Sequence, residues 1–233
     1  MITLRPAQQR GLSKTNWLNS WHSFSFDQYR DPRYMGFQSL RVINQDIVQP
    51  GHGFGMHPHY DMEIITLVLR GSIVHQDSMG NKATIKPGEI QRMSAGTGIT
   101  HSEFNGSDKD ELELLQIWII PNRGGLTPSY QQNEFDADNS WQLLGSTDGQ
   151  QHSIIIHQDV LLYLGQFDQQ LKSIDYPIAE NRHVWLQMIS GAMDVNNQRL
   201  TAGDGAAISN EKTLQFAVAQ SAKFLLFDLA EFR

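Results

Sequence analysis

The chain has 233 residues, 39% of them hydrophobic and 18% charged, which suffices for one large core or two of roughly 100 residues each without covalent staples. A net charge of −7, from 25 acidic and 18 basic residues, argues against a broad nucleic-acid or anionic-membrane surface and leaves a protein partner open. The absence of cysteine removes disulfides, zinc–thiolate sites and thiol nucleophiles together.

At the N-terminus, Met1–Pro6 lacks a basic region followed by an apolar stretch, so no signal peptide is expected. With no cysteine, this points to a cytoplasmic protein. A short helical turn is expected near Asp27–Tyr34. Runs rich in Val, Ile, Leu and Phe then predict strands at Leu40–Val48, Met62–Leu69, Ser72–Gln76, Ala83–Lys86 and Leu112–Ile120. Turn clusters separate them at Arg70-Gly71, Met79-Gly80-Asn81-Lys82 and Pro87-Gly88. The longest apolar run, Leu112 to Pro121, is broken by Glu113 and Gln116 and falls short of the roughly 18 residues of a membrane helix. A second helical turn is expected around Asp136–Ser140, within a Gln/Asn/Asp/Gly-rich connection. Further strands are expected at Ser153–Ile156, Val184–Ile189, Leu214–Ala219 and Lys223–Leu229. Many short strands at regular spacing predict an all-β sandwich or barrel.

The strand–glycine–strand rhythm occurs twice. Arg70-Gly71-Ser72 is echoed by Ser190-Gly191-Ala192, and Pro87-Gly88-Glu89 by Ala202-Gly203-Asp204, in the same order. An internal duplication accounts for this. The expected organisation is an N-terminal barrel over residues 1–121, a connection over 122–152 and a C-terminal barrel over 153–233.

The chemistry concentrates in the first half. His57-Pro58-His59 places two imidazoles at i and i+2, on one face of a strand, and His101 with Glu103 repeats that spacing. Two neighbouring strands, each offering two ligands to one face, can surround one ion. Imidazole and carboxylate donors suit a divalent transition ion (Fe, Ni, Cu, Zn or Mn) better than Ca or Mg. Gly51, Gly53 and Gly55 precede the first pair, and Gly96 and Gly98 precede His101. Strand alternation alone leaves two carboxylates open, because Glu63 shares the parity of His57 and His59 as Glu103 shares that of His101. Distance along an extended chain favours Glu103. His22 and His75 are expected to be hydrogen-bonded structural histidines, and His52 lies off the His57/His59 alternation. His152, His157 and His183 are expected to be structural or exposed. Trp21, Phe24, Phe26 and Phe37 are candidates either for core or for the wall of an aromatic-binding pocket.

The stretches Gly51–Gly71 and Gly88–Asn105 resemble the two cupin motifs. More closely, Trp21–Phe26, Gly36-Phe37, Leu40–Asn44, Gly55–Glu63, Val74–Ser78, Ser94–Glu103 and Gln116-Ile117-Trp118 resemble the pirin family, on the side of the bacterial pirin-like quercetin 2,3-dioxygenases. The resemblance implies a bicupin, two β-barrels face to face with metal in the N-terminal one only. It also implies the ligand set His57, His59, His101 and Glu103, with Glu63 left to support the site from behind, as by orienting a ligand imidazole. The implied activity is metal-dependent opening of a flavonol's central ring with O₂ and release of CO, with a carboxylate, Glu103, taking the substrate's proton. Pirin relatives that act as non-catalytic, metal-bound regulators of other proteins give the alternative.

Overall fold

A computed structural model describes residues 1–136, 141–167, 173–219 and 221–232. Strands dominate, as expected, and the chain divides into two compact units. One comprises Gly11–Phe135 with Ile154–Gln158; the other comprises Met1–Arg10, Asp136–Ser153 and Asp159–Arg233.

The first unit is built from two antiparallel sheets. Seven strands run in the spatial order Ser129–Glu134, Glu89–Ser94, Glu63–Arg70, Leu112–Ile119, Leu40–Val48, Leu18–His22 and Gly11–Lys14. Four run in the order Gly53–His59, Ile99–Asn105, Ile73–Asp77 and Lys82–Ile85. Side chains of the two sheets meet in shared cores: Val48, Val68, Leu112 and Leu114 of the large sheet pack with Ile73 and Ile85 of the small one. Ile64 and Met93 pack likewise with Ile99. Such interdigitation of two inward faces closes the unit around a core. The Ile99–Asn105 strand shows the consequence of its period-2 pattern most clearly: Ile99, His101, Glu103 and Asn105 are buried, while Thr100, Ser102 and Phe104 are not.

In the second unit the main sheet runs Ile2–Arg5, Gly205–Ile208, Arg182–Val195, Ala222–Ala230, Val160–Phe167 and Trp141–Ser146. Thr213–Ala217 pairs with Ile174–Pro177 and with the end of the long Arg182–Val195 strand. Its core is apolar throughout, with Leu186, Met188, Leu200, Phe216 and Phe224 all buried. Trp141 packs edge-on against Phe216 and Phe224, at centroid distances of 5.5 and 5.4 Å.

The duplicated glycines do the same work in both units. Gly71 has φ +81°, and a Cβ there would lie 2.9 Å from the Glu111 carbonyl oxygen and 3.1 Å from Leu112 Cα. Gly191 has φ +74°, and its Cβ would lie 1.6 Å from the Ser221 oxygen and 3.0 Å from Ala222 Cα. Each glycine lets the chain turn hard against the start of another strand, at Leu112 and at Ala222.

Three boundaries differ from expectation. Residues 1–10 lie in the second unit, because Ile2–Arg5 pairs residue for residue with Gly205–Ile208. The polar segment expected as a connection carries a strand, Ser129–Glu134, paired with Glu89–Ser94. Residues 154–158 belong to the first unit, held there by Arg92, which donates to the Ile155 carbonyl at 2.9 Å, and by Gln131, which accepts from Ile155 N–H at 2.9 Å. No helix forms at Asp27–Tyr34. Asp27 adopts φ 48°, and Phe26 and Tyr29 bond each other's backbones in both directions, a two-residue hairpin. The 3-10 turns fall at Ala7–Gln9 and Gln150–His152. The turn expected around Asp136–Ser140 lies, beyond Asp136, outside the described residues. Among the described residues no helix is long and apolar enough to cross a membrane.

Candidate metal centre

The Gly53–His59 and Ile99–Asn105 strands pair antiparallel, and their register sets His57 directly opposite His101 and His59 opposite Ile99. His57, His59 and His101 therefore project on one face, with ring centroids 4.7 Å (57–59), 4.5 Å (57–101) and 4.8 Å (59–101) apart. Their nitrogens lie within 4.8 Å of one another, close enough for one ion. A bulge between His101 and Glu103 shifts the register, bringing Glu103 opposite Phe54. Glu103 is buried; it accepts from Thr66 Oγ1 at 3.2 Å and from Gln116 Nε2 at 2.9 Å.

The tautomer of one imidazole follows from its neighbour. His57 Nδ1 is 2.7 Å from the Gly55 carbonyl oxygen, an acceptor only, so Nδ1 carries the proton and Nε2 is the bare nitrogen. His59 is pushed down to about 4 by burial and by His57 beside it. His101 is lowered further, by burial and then by His57, His59 and His75. Both are thus neutral bases at pH 7. Glu103 moves the other way, up to about 7, chiefly from burial, with the nearby Asp46 adding to it and the bonds from Thr66 and Gln116 opposing it.

His57, His59, His101 and Glu103 all line one cavity, whose remaining walls include Phe26, Phe54, Ile64 and Trp118. Trp118 stands edge-on to His59 at 5.0 Å and to Phe26 at 5.4 Å. Beside these aromatic side chains are polar ones. The registers of three adjacent strands align Gln116, Asn44 and His22 in one cross-strand row, and place Asp46 beside Ser20 in the next but one. His22 bonds Asn44 Oδ1 and Ser13 Oγ, both at 2.8 Å. Ser20 donates to Asp46, whose carboxyl burial pushes up to about 7.

The residues fit a divalent transition ion. His101 Nε2 is buried with no hydrogen-bond partner among the described residues, within a cluster of two further imidazoles. A buried bare nitrogen is costly unless something occupies its lone pair. The donor chemistry, three imidazoles and a carboxylate without sulfur, suits such an ion.

Comparison with known proteins agrees with this geometry. Residues 4–119 match the family model described as Pirin, and residues 143–229 match that of a quercetinase C-terminal cupin domain. The chain is 48% identical, over 98% of its length and 99% of the relative's, to quercetin 2,3-dioxygenase of Escherichia coli K12. It belongs to the pirin family. A pirin-like protein of Caulobacter vibrioides is 36% identical over 99% of this chain and the whole of that protein. Among solved structures, the bacterial pirin YhhW of E. coli in complex with nickel(II) superposes with a TM-score of 0.96 at 46% identity, covering 99% of this chain and all of that one.

In this pirin the other sequence candidates fall elsewhere. Glu63 does not line the cavity. It is buried, accepting from Ser94 Oγ at 2.5 Å and pairing with His157 Nδ1 at 3.2 Å and Arg92 Nε at 3.8 Å. The expectation that it orients a ligand imidazole is replaced by this one: its partner imidazole is His157, and it anchors residues 154–158. His183 bonds Ser209 Oγ at 2.8 Å. His52 accepts a place beside Trp17 and bonds the Pro50 carbonyl at 2.8 Å. Of the four aromatic candidates, Phe26 lines the cavity and Phe24 is core; Trp21 and Phe37 are half-buried away from it. Sequence reading passed over Asn44 and Asp46. The available signal was two polar residues at alternate positions, sharing the inward parity of Leu40, Val42 and Val48.

Proposed function

We propose that this pirin is a metal-dependent dioxygenase that opens the central ring of a flavonol with O₂, giving a depside and carbon monoxide. Its metal is held by His57, His59, His101 and Glu103. The observation that carries the reading is that these four side chains converge on one cavity with an aromatic wall, while Glu63 and the second unit's histidines do not. Its relatives support the reading by name, as quercetin 2,3-dioxygenase, and by the nickel(II) complex of the E. coli pirin.

The bound ion supplies Lewis acidity and a template for an oxygen-rich substrate. The chain's own residues do the rest. Phe26, Phe54 and Trp118 offer faces and edges for a flat aromatic substrate. Asn44, His22, Ser20 and Asp46 offer hydrogen bonds to its hydroxyl groups. Glu103 lines the same cavity and takes the 3-hydroxyl proton.

The test combines metal analysis with flavonol turnover, followed as loss of flavonol absorbance and release of CO. Turnover that needs both O₂ and metal supports the proposal. Turnover without O₂ would indicate an isomerase or lyase, and metal without turnover of any flavonol would favour a protein-binding role.

A further inference from the structure

Behind the cavity, on the far side of His101, lie two buried polar side chains that the proposed mechanism does not use. His75 is 0% exposed and Asp77 4%. Both come from the Ile73–Asp77 strand, which pairs with Ile99–Asn105 on the edge opposite the His57 strand, with Asp77 facing His101 and His75 facing Glu103. Because all three strands alternate with period 2, the side chains of His57, His101 and Asp77 form one cross-strand row on one face. His75, His101 and Glu103 also lie close enough together to hold an ion of their own. Two roles therefore compete for His75, ligand or support.

The hydrogen bonds decide between them. Asp77 is surrounded by donors: Met79 N–H at 2.9 Å, Asn81 N–H at 3.1 Å and Asn81 Nδ2 at 2.9 Å, as well as His75 Nε2 at 3.2 Å. A carboxylate so held only accepts, so His75 Nε2 carries a proton. With that proton on Nε2, the neutral tautomer of this fully buried ring has a bare Nδ1. That Nδ1 lies 3.5 Å from His101 Nδ1. Two bare nitrogens cannot bond each other, so His101 Nδ1 is the protonated partner and donates. What remains on His101 is a bare Nε2, the buried nitrogen that has no partner among the described residues. His57 reaches the same state through the Gly55 carbonyl. His75 does not line the cavity, and Tyr130 packs against its ring at a centroid distance of 5.0 Å.

We infer that Asp77 and His75 are positioning residues, a hydrogen-bond chain that fixes His101 in the tautomer whose Nε2 lone pair faces the metal, and that His75 is not itself a ligand. The inference rests on the metal-binding reading above. Carboxylate–imidazole partners of this kind hold a ligand's tautomer and orientation, and their loss typically costs about 10–100-fold in metal affinity.

The decisive measurement is long-range ¹H–¹⁵N correlation NMR on the full chain with ¹⁵N-labelled histidine, metal-free and then titrated with Zn(II). We expect His75 protonated on Nε2 and His101 on Nδ1 already in the metal-free protein. One equivalent of Zn(II) should move His101 Nε2 to the metal-bound range and leave both His75 nitrogens where they were. His75 protonated on Nδ1 or on both nitrogens, or a His75 nitrogen that binds Zn(II), overturns the inference. If Zn(II) does not bind at all, the metal reading fails, while the metal-free spectrum still decides the hydrogen-bond chain. As a second arm, His75→Ala should weaken Zn(II) binding by about 10–100-fold. His75→Asn, whose amide oxygen can accept where Nδ1 did, should restore most of it. Equal affinities in wild type and His75→Ala, or equal losses in both variants, would refute the positioning role.

Discussion

His57 and His101 face each other directly across two antiparallel strands, with ring centroids 4.5 Å apart and backbones in register. Two imidazoles so placed can offer their lone pairs to one cation between them.

The protein should therefore carry one divalent transition ion per chain, measured by elemental analysis of purified protein. Among the described residues, both ligand clusters lie in the first unit and share His101. Replacing His101 with Ala should remove the metal while the β-rich circular dichroism persists. Replacing His183, which bonds Ser209, should leave the metal in place. Two tightly held ions per chain would contradict this.

Glu103→Gln should lose metal affinity and turnover severely, because Glu103, and not Glu63, lines the cavity with the three imidazoles. Glu63→Gln should instead lower thermal stability, by about 1–3 kcal/mol, because a buried acceptor for Ser94, His157 and Arg92 is altered. Its metal content should stay near that of wild type. The reverse order in a metal-content assay would show Glu63 to be the ligand.

Metal affinity should rise with pH through about 7. The sign follows from Glu103: burial raises its pKa, so below that value it is protonated and neither ligates nor accepts a proton. Asp46 contributes to the rise, so Asp46→Asn should move the midpoint to lower pH by up to about one unit. A midpoint that moves upward, or an acid limb unchanged in the variant, would assign the limb to another group.

Gly191→Ala should destabilise the second unit by at least about 2 kcal/mol, since a side chain there meets the Ser221 carbonyl at 1.6 Å in a left-handed backbone. Metal stoichiometry should be unchanged, because the ligands lie in the other unit. Differential scanning calorimetry with metal analysis on the same sample separates the two effects.

Much of this was legible in the residues. The Leu40–Val48 strand and the turns at Gly71 and Gly191 follow from β-branched runs and from glycine, signals that act over a few residues. The four metal-ligand candidates were visible because period-2 spacing projects directly into space. Ser129–Glu134 was not: its sequence, SYQQNE, has no apolar alternation, and its strand is made by backbone pairing to Glu89–Ser94. Ile2–Arg5 was placed in the wrong unit for a related reason, since a four-residue strand carries nothing that names its distant partner. His75 was expected to be structural. Its hydrogen bond to Asp77 fits that, but its approach to His101 depends on a third strand's register, which spacing along the chain does not reveal.

The exchange of short segments between the units bears on how the chain is assembled during synthesis. All the metal-ligand candidates, and both of the sheets that carry and cover them, have been synthesised by Phe135. The first strand made, Ile2–Arg5, must wait for Gly205–Ile208, nearly the last made, before it has a neighbour. A nascent chain thus holds an unpaired strand edge through most of translation, the condition under which wrong partners are found. An affinity tag fused ahead of Ile2 therefore burdens the late-folding unit far along the sequence and leaves the histidine-bearing sheets, close by in sequence, undisturbed.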